Sequence, residues 1–172
     1  MSYIFLHGGL AHVIGNMWML WIFGDNVEDR MGRIGFFIFY VLSGLAAGIA
    51  HIVINPASQI PTVGASGAIA GVMGAYLLLF PRARVVTILP LRPVEVPAVV
   101  FLGIWFAIQL YSGTVSLATD GARAGGVAWW AHIGGFIVGV LWALLLRRFN
   151  PNQLSEQRQR SYRYYDDYND WR

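Results

Sequence analysis

The chain has 172 residues, enough for one compact domain. It is 56% hydrophobic and only 12% charged, where a soluble domain carries about 25% charged residues; the deficit points to a protein solvated by lipid. There is no cysteine, which excludes disulfides, thiolate metal sites and cysteine nucleophiles.

The start, Met1-Ser2-Tyr3-Ile4, lacks the basic region and small-residue cleavage site of a secretory signal. Insertion must then rely on internal spans, each of about 20 mainly apolar residues. Five candidates follow in chain order: residues 9–23, with 4–6 as a possible extension, then 34–54, 64–80, 96–111 and 127–146. Strands are not expected in them, because an open strand cannot satisfy its backbone in lipid. The Pro-rich stretch 81–97 reads as a turn, the Gly-rich stretch 113–126 as a mobile cap, and Asn150 onward as a polar, poorly ordered tail. The division is a membrane domain over 1–148 and a tail over 149–172. The expected fold class is an all-α, polytopic helical bundle.

All twelve basic residues are Arg, giving a net charge of +3. If the spans alternate, eleven fall on one side, from Arg30 and Arg33 through Arg82, Arg84 and Arg92 to Arg147, Arg148 and the tail; Arg123 is alone opposite. The positive-inside rule makes the Arg-rich side cytoplasmic. The expected location is the plasma membrane, with a cytoplasmic tail. Five spans would leave the N-terminus outside with no segment to carry it there, so a further upstream helix is expected. No repeat and no nucleic-acid motif is visible.

Polar groups inside a span are costly and mark function. His7, His12 and Asn16 open the first span, Ser66 the third and His132 the fifth. These three spans run in the same direction, so their first turns share one depth near the outer face. His12 and Asn16, four apart, share a helix face. Gly67-x-x-x-Gly71 and Gly135-x-x-x-Gly139 are small-residue patterns that let helix backbones approach closely. If those faces meet, Ser66 and His132 come within hydrogen-bond reach.

A serine hydroxyl needs an adjacent base to become a nucleophile, and imidazole, titrating near pH 6.5, supplies one. Every acid except Asp120 lies on the Arg-rich side or in the tail, which favours a Ser66–His132 dyad over a triad. His12, Asn16 and the Ser66 N–H are neutral donors placed to hold an oxyanion. Gly64 and Gly67 flank the hydroxyl and leave room for substrate. His7 reads as a supporting hydrogen-bonding residue, and His51 has no evident partner. A histidine metal site is not expected, because His7 and His12 are five apart and no acid joins them. The tryptophans, among them Trp18, Trp21 and Trp105, read as interface anchors or packing.

These motifs resemble the rhomboid intramembrane serine proteases. His7-x4-His12-x3-Asn16 is similar to the signature of the family's second helix. Gly64-Ala65-Ser66-Gly67 is similar to its nucleophile motif, and His132-Ile133-Gly134-Gly135 with Gly139 to its sixth-helix motif. The resemblance implies five of six core helices, an N-terminally truncated chain and no cofactor. It implies a serine endopeptidase that cuts transmembrane protein substrates near their outer ends, with His12 and Asn16 at the oxyanion and His7 in support. The sequence does not set the oligomeric state. Some relatives carry an aromatic four residues after the serine, stacked on the histidine; here Ala70 stands there, so the imidazole must be held differently. The alternative reading is a catalytically impaired fragment or a client-binding pseudoprotease; the retention of both Ser66 and His132 stands against the pseudoprotease.

Overall fold

The computed structural model describes residues 2–56, 63–89, 92–118 and 127–149. Arg123, Asp120 and the tail from residue 150 lie outside them. A 3-10 turn, Ser2–Phe5, precedes α1, Leu10–Ile54. Next come α2, Ser66–Leu79, strands β1, Arg84–Leu89, and β2, Arg92–Pro97, then α3, Ala98–Ala118, and α4, Trp129–Phe149.

α1 is broken. Gly32 has φ 70° and ψ 161°, values outside any helix, and divides it into arms over 10–31 and 33–54. Only glycine adopts that backbone freely. The arms fold back on each other. A Cβ on Gly24 would lie 3.6 Å from the Phe36 ring, although twelve residues of straight helix would part them by about 18 Å. Each arm is about 30 Å long, the thickness of a bilayer core. The loop expected after the first span is therefore mostly helix, with Asp25, Glu28 and Arg30 riding on its last turns. Residues 4–6 do not extend that helix; Gly8 and Gly9 interrupt it, and Ile4 turns inward instead.

α1, α3 and α4 are long and apolar enough to cross a membrane. Only 22–33% of each crossing window is buried, so most of its apolar surface faces outward, far beyond what a soluble monomer exposes. Trp21, Phe37, Ile52 and Leu145 are among these outward residues. α2 differs. It is too short to span alone at about 20 Å, and every residue from Gly67 to Tyr76 is buried. It is the central post, wrapped by both arms of α1 and by α4. Phe23 and Val27 of α1, Val72 and Met73 of α2 and Leu102 of α3 form its fully buried surroundings.

Glycines set the α2–α4 distance. A Cβ on Gly135 would run into the Gly67 carbonyl, one on Gly139 into the Gly71 carbonyl, and one on Gly74 into the Phe136 carbonyl. The two small-residue faces predicted from the sequence therefore meet backbone to backbone.

The stretch 81–97 is not a simple turn. β1 and β2 pair antiparallel, with Val86 opposite Glu95 and Ile88 opposite Pro93. The expectation against strands came from the hydrocarbon core, where sheet edges go unsatisfied. This hairpin lies between spans, where Arg84 and Arg92 are exposed, and its β-branched run Val85-Val86-Thr87-Ile88 suits a strand. The expected mobile cap over 113–126 is also corrected in part. Gly113 to Ala118 belong to α3, and Gly113 is buried against Trp130 and Ile133; residues 119–126 lie outside the described residues.

Candidate active site

Ser66 is the first residue of α2, and His132 lies on the first turn of α4. Because the glycine faces hold these helices in contact, the two side chains meet. Ser66 Oγ lies 2.8 Å from His132 Nε2. On its other side His132 Nδ1 lies 2.8 Å from Gln109 Oε1 of α3. The Gln109 amide nitrogen donates to the Trp105 carbonyl one helical turn back, at 3.4 Å. Both residues of the pair are half-buried, whereas Gln109 is 5% exposed. Trp105 tilts over the imidazole at 5.9 Å between ring centres, and Trp129 meets it edge-on at 6.3 Å. The position four after the serine, Ala70, is fully buried and close to Gly135, so it leaves the imidazole to α3.

The chain enters α2 through Gly64, whose φ of 118° suits glycine. A Cβ there would lie 2.8 Å from His12 Nε2 and 3.5 Å from Asn16 Nδ2. The turn into the serine thus rests on His12 and Asn16. His12 Nδ1 accepts the Gly8 N–H at 3.3 Å, which makes Nε2 the nitrogen that carries the proton, on the side facing Gly64. Asn16 is buried, and its Nδ2 finds no partner among the described residues. The Ser66 N–H, at the first position of a helix, has no intrahelical acceptor. His12 Nε2 and Asn16 Nδ2 therefore border the Gly64 turn, two residues before Ser66. His7 packs edge-on against His12 at 5.1 Å, and its Nε2 is buried with no partner among the described residues. Gly67 touches Ala47, where a Cβ would come within 2.6 Å. Its smallness therefore serves helix packing as well as any space for substrate.

Two contributors escaped the sequence reading. Gln109 is the lone amide in an otherwise apolar span, a signal of the same kind as Asn16 and Ser66. Tyr3 is the other. Its carbonyl accepts the Gly64 N–H at 2.9 Å and its hydroxyl donates to the Gly44 carbonyl, tying the Gly64 turn to the second arm of α1. Burial raises the Tyr3 phenol above its ordinary value, against a smaller opposing effect from the Gly48 backbone, so it stays a neutral donor. His51 is buried on that second arm, with Nδ1 unpartnered among the described residues.

The other end of the bundle gathers arginines. Arg147 donates to the Leu78 carbonyl at the end of α2, and Arg30 lies 4.8 Å over the Phe80 ring. Cations suit the carbonyl end of a helix. The polar cluster and these arginines thus sit at opposite ends of α2.

A serine hydrogen-bonded to an oriented imidazole, next to a turn bordered by His12 and Asn16, has parts suited to acyl transfer. Comparison with known proteins identifies a family. Residues 1–149 match the family model for the Rhomboid domain. The chain is 31% identical over 160 residues to rhomboid protein 1, mitochondrial, of Saccharomyces cerevisiae, covering 91% of this chain and 42% of that protein. It is 26% identical to rhomboid-like protein 11, chloroplastic, of Arabidopsis thaliana, over 91% of this chain and 55% of the relative. It is 31% identical to rhomboid protease GluP of Bacillus subtilis, over 83% of this chain and 25% of the relative. The chain spans between a quarter and about half of the length of these relatives. Their names place them in mitochondria and chloroplasts, and the third is bacterial, which gives no support to the plasma membrane expected from the arginines. Motifs, helical membrane architecture and the match over residues 1–149 agree, and the chain belongs to the rhomboid family of membrane proteins.

Proposed function

We propose that this protein is an intramembrane serine endopeptidase that hydrolyses peptide bonds of transmembrane proteins with a Ser66–His132 dyad. The observation that carries the reading is the 2.8 Å contact between Ser66 Oγ and His132 Nε2, made by two helices locked together by glycines.

In this mechanism Ser66 Oγ attacks the scissile carbonyl carbon while its proton passes to His132 Nε2. The carbonyl oxygen becomes an oxyanion, held by Asn16 Nδ2, His12 Nε2 and the Ser66 N–H. His132 then gives its proton to the departing amine, leaving an acyl-serine. Water attacks that ester, one of its protons goes to His132, and collapse returns that proton to Ser66 Oγ and frees the new carboxylic acid, which gives its remaining proton to water. Neutral donors suit a site within the bilayer, because Arg or Lys at the centre of a spanning helix costs about 2.5–3.5 kcal/mol. His7 supports His12 through their ring contact. No cofactor is needed for any step.

The arginine end is assigned to the positive-inside face, which puts the dyad toward the opposite face with the C-terminal tail beside the arginines. The residues up to 148 act as the membrane domain and 149–172 as that tail. Substrate enters sideways between the first arm of α1 and α3. Trp105 and Phe106 of α3 stand on that path and pack on Phe136 of α4.

The test is cleavage of a single-span reporter protein by the purified chain in proteoliposomes. The reading expects one cut near the end of the reporter span at the dyad's depth, lost in Ser66→Ala. A reporter bound but uncut by the wild type indicates a client-binding relative instead, and a cut that survives Ser66→Ala refutes the assignment.

A further inference from the structure

A histidine acts as base toward Ser66 only when the nitrogen facing the serine is bare. The neutral ring carries one proton, and the hydrogen bond made by the other nitrogen decides where it sits. Serine proteases of the triad type fix this with a buried carboxylate. Among the described residues the acids are Asp25, Glu28, Asp29 and Glu95, on the last turns of the first arm of α1 and on the hairpin, away from His132. A buried carboxylate would also be costly at this depth.

We propose that Gln109 is the positioning residue that sets the His132 tautomer, a role that rests on the Ser66–His132 reading above. Its amide oxygen accepts the Nδ1 proton at 2.8 Å, leaving Nε2 bare toward Ser66 Oγ at 2.8 Å. The amide could in principle flip, present its NH2 to Nδ1 and stabilise the wrong tautomer. The Trp105 carbonyl prevents this. It accepts the Gln109 NH2 at 3.4 Å, and a flipped amide would set two oxygens against each other there. Gln109 is 5% exposed, so water cannot replace the missing donor. The order of control runs from the Trp105 carbonyl to the Gln109 amide, then to His132 Nδ1 and Ser66. A neutral amide thereby fills the orienting role without bringing a charge into the membrane. It also supplies the hold that Ala70 cannot, with Trp105 and Trp129 fixing the ring plane.

The test uses Gln109→Met, which keeps the length and removes the acceptor, and Gln109→Glu, which keeps an accepting oxygen in either protonation state. A serine-directed fluorophosphonate is the probe, and its concentration dependence separates binding from the rate at saturation. Gln109→Met is expected to lower the saturated rate about ten- to a hundredfold, as befits one lost buried hydrogen bond, with binding of the probe unchanged. Gln109→Glu is expected to restore most of that rate. Nitrogen NMR of 15N-histidine-labelled protein reads the tautomer directly. The wild type should show His132 with a protonated Nδ1 and bare Nε2, and Gln109→Met should lose that signature. An unchanged rate and tautomer in Gln109→Met overturns the proposal, as does a Gln109→Glu variant that is folded yet as slow as Gln109→Met. The dyad itself is tested separately. If His132→Ala labels as the wild type does, the base assignment fails, whereas loss of labelling there with no effect at Gln109 overturns only the positioning role.

Discussion

The Gly135→Ala substitution probes the link between packing and chemistry. A methyl at Gly135 falls on the Gly67 carbonyl, where an ordinary carbon–oxygen contact needs about 3.3 Å. α2 and α4 must then part by about 1 Å at that point. Ser66 is the residue before Gly67, and His132 lies one turn before Gly135, so the Ser66–His132 contact opens from 2.8 Å to about 3.8 Å, outside hydrogen-bond range. Misplacement by about 1 Å in a reacting pair costs about a hundredfold in rate. Stability is the weaker readout. Overpacking costs about 1–3 kcal/mol, and replacing glycine by alanine in a helix returns up to about 1 kcal/mol. The assay is therefore the fluorophosphonate labelling rate in folded, bilayer-embedded protein. Gly103→Ala on α3 is the control, since a Cβ there meets nothing within 4 Å. Gly103→Ala should label as the wild type does, and Gly135→Ala about a hundredfold slower. Equal rates for the two variants would refute the claim that glycine contacts set the geometry of the pair.

Other outcomes follow from the same geometry. Asn16→Ala should lower kcat for reporter cleavage by about 10²–10³ with little change in KM, because it removes a donor used only by the oxyanion; a change confined to KM would move Asn16 out of that role. Gly64→Ala adds backbone strain of about 1–3 kcal/mol at a positive φ and presses a methyl on His12. It should lower the thermal midpoint and the labelling rate together, and normal values for both would contradict the described turn. The cysteine-free chain permits paired cysteines joining the first arm of α1 to α3. That cross-link should stop cleavage of a transmembrane reporter while sparing labelling by the small probe, and unchanged reporter cleavage would remove the lateral entry route.

Much of this was legible in the sequence because lipid makes simple demands. Apolar runs marked the spans, and the small-residue faces of Gly67/Gly71 and Gly135/Gly139 foretold the close approach of α2 and α4. Shared depth brought Ser66 and His132 into one layer before any distance was known. Other features depend on local or tertiary context. The stretch 81–97 pairs as a hairpin between spans, where its β-branched run Val85-Val86-Thr87-Ile88 favours a strand, and hydropathy does not register that preference. The helix persists through the charged residues 25–31 because none of them breaks it, and Gly32 alone turns the chain. Gln109 was visible as an amide in an apolar span, but its partner could not be read from α3 by itself. It acquires meaning only where α3 packs on α4 at His132.

The most direct test of the central claim is mass-spectrometric mapping of a fluorophosphonate adduct on the bilayer-embedded protein, beside Ser66→Ala and His132→Ala. The account predicts an adduct on Ser66 Oγ in the wild type and none in either variant. An adduct on another residue, or full labelling of Ser66 in His132→Ala, would contradict it.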